Sequence, residues 1–168
     1  ISRGLVGSEM CIRDSLHIYS GIGNLIAIVD GIRTDLHISS KEVDHVYNFH
    51  GVNFDQLIIL LPPSDPQNDL DVKIFNNDGS IASNCINGAR CVGRFIKDNS
   101  LLASNKFKVK TDGGLWELDN VENNIFSAAF EVKAEIITKK VEAKGIELSL
   151  DCINLGNLHG VTFENKQI

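Results

Sequence analysis

No run in this 168-residue sequence stays apolar for the ~18 to 20 residues a membrane-spanning helix needs; the longest candidate, Leu57 to Leu61, stops at Pro62 and Pro63. A basic excess is also missing. Sixteen Lys and Arg stand against 22 Asp and Glu, for a formal charge of −6, and the basic residues are scattered. Without a basic stripe to neutralise phosphates, nucleic-acid and membrane-surface partners are not expected. A signal-peptide pattern is absent, and four cysteines (Cys11, Cys85, Cys91, Cys152) are too few for a disulfide scaffold. Free thiols in a reducing, cytoplasmic compartment are the expectation. The spacing of Cys85 and Cys91 is not CxxC and the histidines do not pair at ligand spacing, so no metal site is expected. Internal repeats, low-complexity tracts and linkers are lacking too. What is present, 43% apolar and 23% charged residues, suits a globular unit of one domain or slightly more.

The chain begins at Ile1, and residues 1–15 show neither apolar periodicity nor a targeting pattern. Glu9 to Asp14 resembles translated adaptor DNA, so residues 1–15 are expected to be a non-native leader and are set aside from the fold. Leu16 to Tyr19 and Leu25 to Val29 read as strands separated by Ser20 to Asn24 and closed by Asp30-Gly31. Ser39 and Glu42 have capping-box spacing, and Val43, Val46 and Tyr47 recur at helical intervals up to Gly51. Gln56 to Leu61 and Leu70 to Ile74 read as strands, and Asn76 to Gly79 as a turn. From Asn87 the period changes to that of a helix: Ala89, Val92, Phe95 and Ile96 form an apolar stripe opposite Arg90, Arg94 and Lys97. Phe107 to Thr111 and Leu115 to Leu118 flank an Asp112-Gly113-Gly114 hairpin turn, with further strands near Ile125 to Val132 and Ile146 to Leu150. Gly160 to Phe163 reads as a strand with five residues after it, which predicts a chain that stops mid-domain. Strands and helices without βαβ alternation predict an α+β fold in which a curled sheet wraps a helix.

The chemistry concentrates in FNNDGSIASNCINGARCV, Phe75 to Val92, where Cys85 immediately precedes a helix. Unpaired N–H groups and the helix dipole favour a thiolate at such a position, which could then serve as a base. The same donors, from Asn87, Gly88 and Ala89, could hold a carboxylate, with Gly88 opening the way for close approach. From position alone, a small buried hydrophobe is an equal reading of Cys85. Cys91 and Cys152 read as core residues. Gly21-Ile22-Gly23-Asn24, Gly51 to Gln56 and Gly156 to Gly160 are by themselves turns or plain loops, and the first lacks the third glycine and helix of a dinucleotide fingerprint.

In order, G-I-G-N, GVNFDQ, FNNDGS, NCINGARC and GNLH, the segments resemble diaminopimelate epimerase over about residues 16–168. The resemblance implies a two-lobed, pseudo-symmetric fold, each lobe a curled sheet around a central helix. Residues 16–130 would form the amino-terminal lobe and 131–168 the start of a second, truncated one. It further implies a cytoplasmic enzyme of lysine and peptidoglycan synthesis that interconverts LL- and meso-diaminopimelate with two cysteines and no pyridoxal phosphate. The partner is a small amino-acid substrate, and a homodimer is expected at full length. Carried over residue by residue, Cys85 is the acid/base, and Asn24, Gln56, Asn76 and Asn157 contact substrate. Ile86 and Asn87 lie at the carboxylate site, and His159 tunes the thiol. Ser20 stands where the family has His, Leu25 where it has Asp, Ile86 where it has Gly and Leu158 where it has Pro. Leu25 and Ile86 keep open a proline- or hydroxyproline-racemase-like enzyme, and a non-catalytic domain of the same fold is the third reading. The second cysteine lies in family sequence this chain lacks, so the chain as it stands is expected to be inactive.

Overall fold

The computed structural model describes residues 16–33, 38–50, 53–122, 125–131, 135–154 and 158–163, which separate after Phe130 into two compact units. In the first unit, β1 (Leu16–Gly21) and β2 (Asn24–Asp30) form a hairpin. Next come α1 (Ser40–His50), β3 (Gln56–Leu61), β4 (Leu70–Asn76), the two-residue β5 (Ile81–Ala82) and α2 (Ile86–Asp98). Strands β6 (Lys106–Thr111), β7 (Gly114–Glu122) and β8 (Ile125–Phe130) complete it. The sheet order is β1-β2-β3-β4-β6-β7-β8, with β5 on β4.

Two neighbouring pairs are parallel, β2 with β3 and β4 with β6, and each requires a crossover. Helix α1 provides the first and the β5–α2 segment the second. The crossovers use opposite faces. Val43 and Val46 of α1 pack with Ala27, Val29, Leu57, Ile59 and Phe75, whereas Val92, Phe95 and Ile96 of α2 pack with Ile26, Ile28, Ile58 and Ile74. Strands covered on both sides must be apolar throughout, which is why Ile26 to Val29 and Leu57 to Leu60 are continuous buried runs. Strand β6 has one wet face and alternates. Helix α2 touches β1 and β8, the two ends of the sheet order, so the sheet curls around it. Burying Val92, Phe95 and Ile96 on that helix contributes about 1.5–3 kcal/mol each.

Local signals produce these elements with small differences from the sequence reading. Glu42 receives both the Ser39 N–H (2.6 Å) and its hydroxyl (2.7 Å), the carboxylate half of the expected capping box. The β1–β2 connection is tighter than the five residues Ser20 to Asn24 suggested: only Ile22 and Gly23 turn, at φ of 51° and 90°. Asn24 therefore sits in β2, paired with Gly21. Strands β5 and β9 carry no clear periodic signal and were not expected.

The second unit is an antiparallel meander of β9 (Ile137–Ala143), β10 (Ile146–Asn154) and β11 (Leu158–Val161), centred on buried Leu148. Strand β11 starts before the expected Gly160, so His159 and Gly160 are strand residues and not part of a loop. Cys152, expected in a core, is half-buried. Among the described residues no helix is long and apolar enough to cross a membrane.

Candidate active site

Cys85 is the N-cap of α2, in extended conformation at φ −150° and ψ 98°. Its sulfur accepts the Gly88 N–H at 3.2 Å, and its carbonyl accepts the Ala89 N–H at 2.9 Å. Two of the three amides assigned to a carboxylate are thus already engaged: Ala89 in the first helical bond and Gly88 on the thiol. The third, the Asn87 N–H, also bears on the Cys85 sulfur. Gly88 also serves another purpose than opening a path for substrate. A β-carbon there would lie 2.5 Å from Ile58 Cδ1 and 3.0 Å from Cys85 Sγ, so its smallness lets the first turn settle on β3.

The loop before the cap is anchored by the β6–β7 hairpin. Buried Asn84 accepts the indole N–H of buried Trp116 at 2.7 Å, and the Gly113 N–H donates to the Ser83 carbonyl at 2.8 Å. The β6–β7 hairpin thereby holds the two residues that precede the thiol. Neither anchor was anticipated; the only signal, a polar residue next to a sequence-distant Trp, becomes meaningful once β7 faces the loop.

Gln56 and Asn76 are cross-strand partners, and Gln56 Nε2 donates to Asn76 Oδ1 at 3.0 Å. Ile26 pairs with Gln56 on the other side. By strand alternation Asn24, Gln56 and Asn76 follow the residues Ile26, Ile58 and Ile74, whose side chains pack against α2. These amides accordingly continue the α2-facing side of the sheet beyond its apolar part. Asp55 binds the strand starts together: its carboxylate takes the Leu25 N–H at 2.8 Å, its own N–H donates to the Leu25 carbonyl at 2.7 Å, and its carbonyl accepts the Asn77 N–H at 3.2 Å. The Asn87 side-chain oxygen lies 3.4 Å from an Arg90 nitrogen. His159 is exposed in β11 of the second unit, opposite Ile153. Asn157 lies outside the described residues.

The electrostatics correct one expectation. Burial pushes the Cys85 thiol up from its ordinary range, and the N–H groups of Gly88 and Asn87 oppose this without winning. With its titration moved upward, the thiol carries its proton at neutral pH. Cys91 lies further along α2, buried as expected, and is pushed up to about 11 by burial and by the neighbouring Cys85, against the pull of Arg90.

A strongly curled sheet wrapped on one helix is the architecture of the diaminopimelate-epimerase-like α+β fold. Two solved structures share it: a hydroxyproline epimerase from Agrobacterium vitis (TM-score 0.64, 11% identity, covering 88% of this chain and 50% of that one) and a PhzF-family phenazine biosynthesis protein from Bacillus anthracis (0.59, 16%, 88% and 53%). In sequence, the profile of the diaminopimelate epimerase family matches residues 16–130. Diaminopimelate epimerases from Stutzerimonas stutzeri and Pseudomonas fluorescens are 34% and 32% identical in alignments 154 positions long that cover 84% of this chain. The chain belongs to the diaminopimelate epimerase family. It spans 56% of the length of those curated relatives.

Proposed function

We propose that a family-length protein containing this chain interconverts LL- and meso-diaminopimelate without a cofactor, with Cys85 moving the α-proton. In this reading residues 16–130 are the amino-terminal lobe, 131–168 begin the second, and the enzyme serves lysine and peptidoglycan synthesis in the cytoplasm. The observation that carries it is the Cys85 sulfur at the mouth of α2, within hydrogen-bonding reach of Gly88 N–H and flanked by Ile86 and Asn87.

The α-hydrogen of an amino acid is a weak acid, so its removal needs a base in a site where fixed donors stabilise the carboxylate as charge builds. A thiolate formed at Cys85 would share the Gly88 and Asn87 amides, which favour the anion. Inversion requires a second acid on the opposite face of the carbon. Cys91 is unsuited to that role, being 5% exposed and shifted to about 11. In this reading the second thiol would come from a part of the family-length protein that this chain does not span. One thiol and one thiolate would form the productive pair, each direction using the opposite assignment, so activity should be bell-shaped in pH.

The test is solvent-deuterium uptake at the α-carbon of diaminopimelate by the family-length protein. Cys85→Ala should lower exchange by about a hundredfold or more. Full turnover in that variant, or no uptake in the wild type, would end the proposal. A preference for a cyclic imino acid would favour the racemase-like reading, to which exposed Leu25 and the bulk of Ile86 give some support.

A further inference from the structure

Behind the Gln56–Asn76 pair runs a chain of hydrogen bonds that ends on a carboxylate. Gln56 Nε2 donates to Asn76 Oδ1 at 3.0 Å, Asn76 Nδ2 to Ser80 Oγ at 2.9 Å, and the Ser80 hydroxyl to Asp78 Oδ1 at 2.6 Å. The Ser80 N–H meets the same carboxylate oxygen at 2.9 Å. The hydroxyl and then the N–H of Ser80 hold the Asp78 carboxyl below its usual range, so it is ionised at neutral pH.

An ionised carboxylate can only accept hydrogen bonds. At 2.6 Å, the hydrogen between Ser80 Oγ and Asp78 must come from the hydroxyl, since otherwise two sets of lone pairs would face each other. With its single hydrogen spent, Ser80 Oγ can only accept from Asn76, which turns the Asn76 NH₂ toward it. Asn76 Oδ1 then faces Gln56, and Gln56 must answer with Nε2. The carbonyl oxygen of Gln56 is left over, with no hydrogen-bond partner among the described residues.

The turn that holds this chain is fixed by its own backbone bonds. Asn76 N–H donates to the Ser80 carbonyl at 2.8 Å and Gly79 N–H to the Asn76 carbonyl at 2.9 Å. Gly79, at φ 79°, abuts the Ser40 carbonyl at the start of α1, where no β-carbon would fit.

We propose that Ser80 and Asp78 are positioning residues that fix the polarity of the Gln56–Asn76 pair, so that Gln56 Oε1 faces the ligand and selects an ammonium over a carboxylate at that point. The identity of the ligand rests on the epimerase reading; the polarity does not. A swap of one amide orientation would reverse the preference, and the Asp78 anchor disfavours it.

The family-length protein, ¹⁵N-labelled, tests both parts. In the wild type the side-chain NH₂ groups of Gln56 and Asn76 should each show one exchange-protected proton, lost in Ser80→Ala and Asp78→Ala and restored in Ser80→Thr. With diaminopimelate as substrate, the two alanine variants should raise KM about fivefold or more while kcat stays within about twofold, and Ser80→Thr should recover the wild-type KM. Amide spectra unchanged in Ser80→Ala would overturn the polarity claim whatever the activity. Spectra that change without a rise in KM would overturn the selection. An inactive wild type would instead count against the epimerase reading, and the selection would then be read from titration with 1,5-diaminopentane and glutarate. A Gln56 resonance that moves with the diamine alone supports the proposal; one that moves with glutarate, or with neither, overturns it.

Discussion

At the scale of single residues, the thiol and its neighbour Asn84 show how context outranks position. The place of Cys85 at a helix start was legible in the change of period at Asn87, and the sulfur does accept an amide hydrogen there. The direction of its titration was not legible, because desolvation depends on what packs around the sulfur, and burial outweighs the two amides. Asn84 depends on a partner 32 residues away. Trp116→Phe should remove the indole donor and strand the buried Asn84 oxygen, costing about 1–3 kcal/mol in chemical denaturation. The double variant Asn84→Leu, Trp116→Phe should recover part of that loss, since a pair of apolar groups leaves nothing unsatisfied.

At the scale of elements, the helix mouth is assembled by contacts between the β1–β2 hairpin and the first turn of α2. A β-carbon on Gly21 would stand 2.8 Å from the Asn87 carbonyl oxygen and 2.9 Å from Cys91 Sγ. The oxygen belongs to helix backbone and cannot swing away as a side chain could. Gly21→Ala should gain about 0.5–1 kcal/mol from reduced freedom of the unfolded chain. Overpacking should cost more, about 1–3 kcal/mol, and lift the hairpin from the helix. A lowered denaturation midpoint together with shifted Asn87 and Cys91 amide resonances is the expected outcome, and an unchanged or raised midpoint would show that the helix yields. Most elements, β3 and α2 among them, could be read from the chain because runs and periodicity are local. Strands β9 and β11 were missed or misplaced because short exposed strands owe their state to hydrogen-bonded neighbours, here β10 on both sides.

At the scale of the whole molecule, the buried thiols tie stability to pH. Cys91 binds its proton more tightly in the folded chain than in the unfolded one. The stability this contributes is fully present below the ordinary thiol range near 9.0 and is lost as pH rises through about 11. The Tyr19 hydroxyl, raised by burial and then by Asp98, has the same sign. Denaturation midpoints should therefore fall across alkaline pH, and Cys91→Ala should flatten the slope between about pH 9 and about pH 11. An identical slope in that variant would assign the alkaline loss to other groups.

The sequence alone determined the apolar runs, the helix that follows Cys85, the turn at Asn76 to Gly79 and the order of motifs that marks the family, since each is written in neighbouring residues. Tertiary structure decided which amides the helix and the thiol engage, that burial raises the thiol, and which end of Gln56 bonds to Asn76. Those outcomes depend on desolvation and on hydrogen-bond partners brought from other strands, and both come into being only when the sheet has closed around α2.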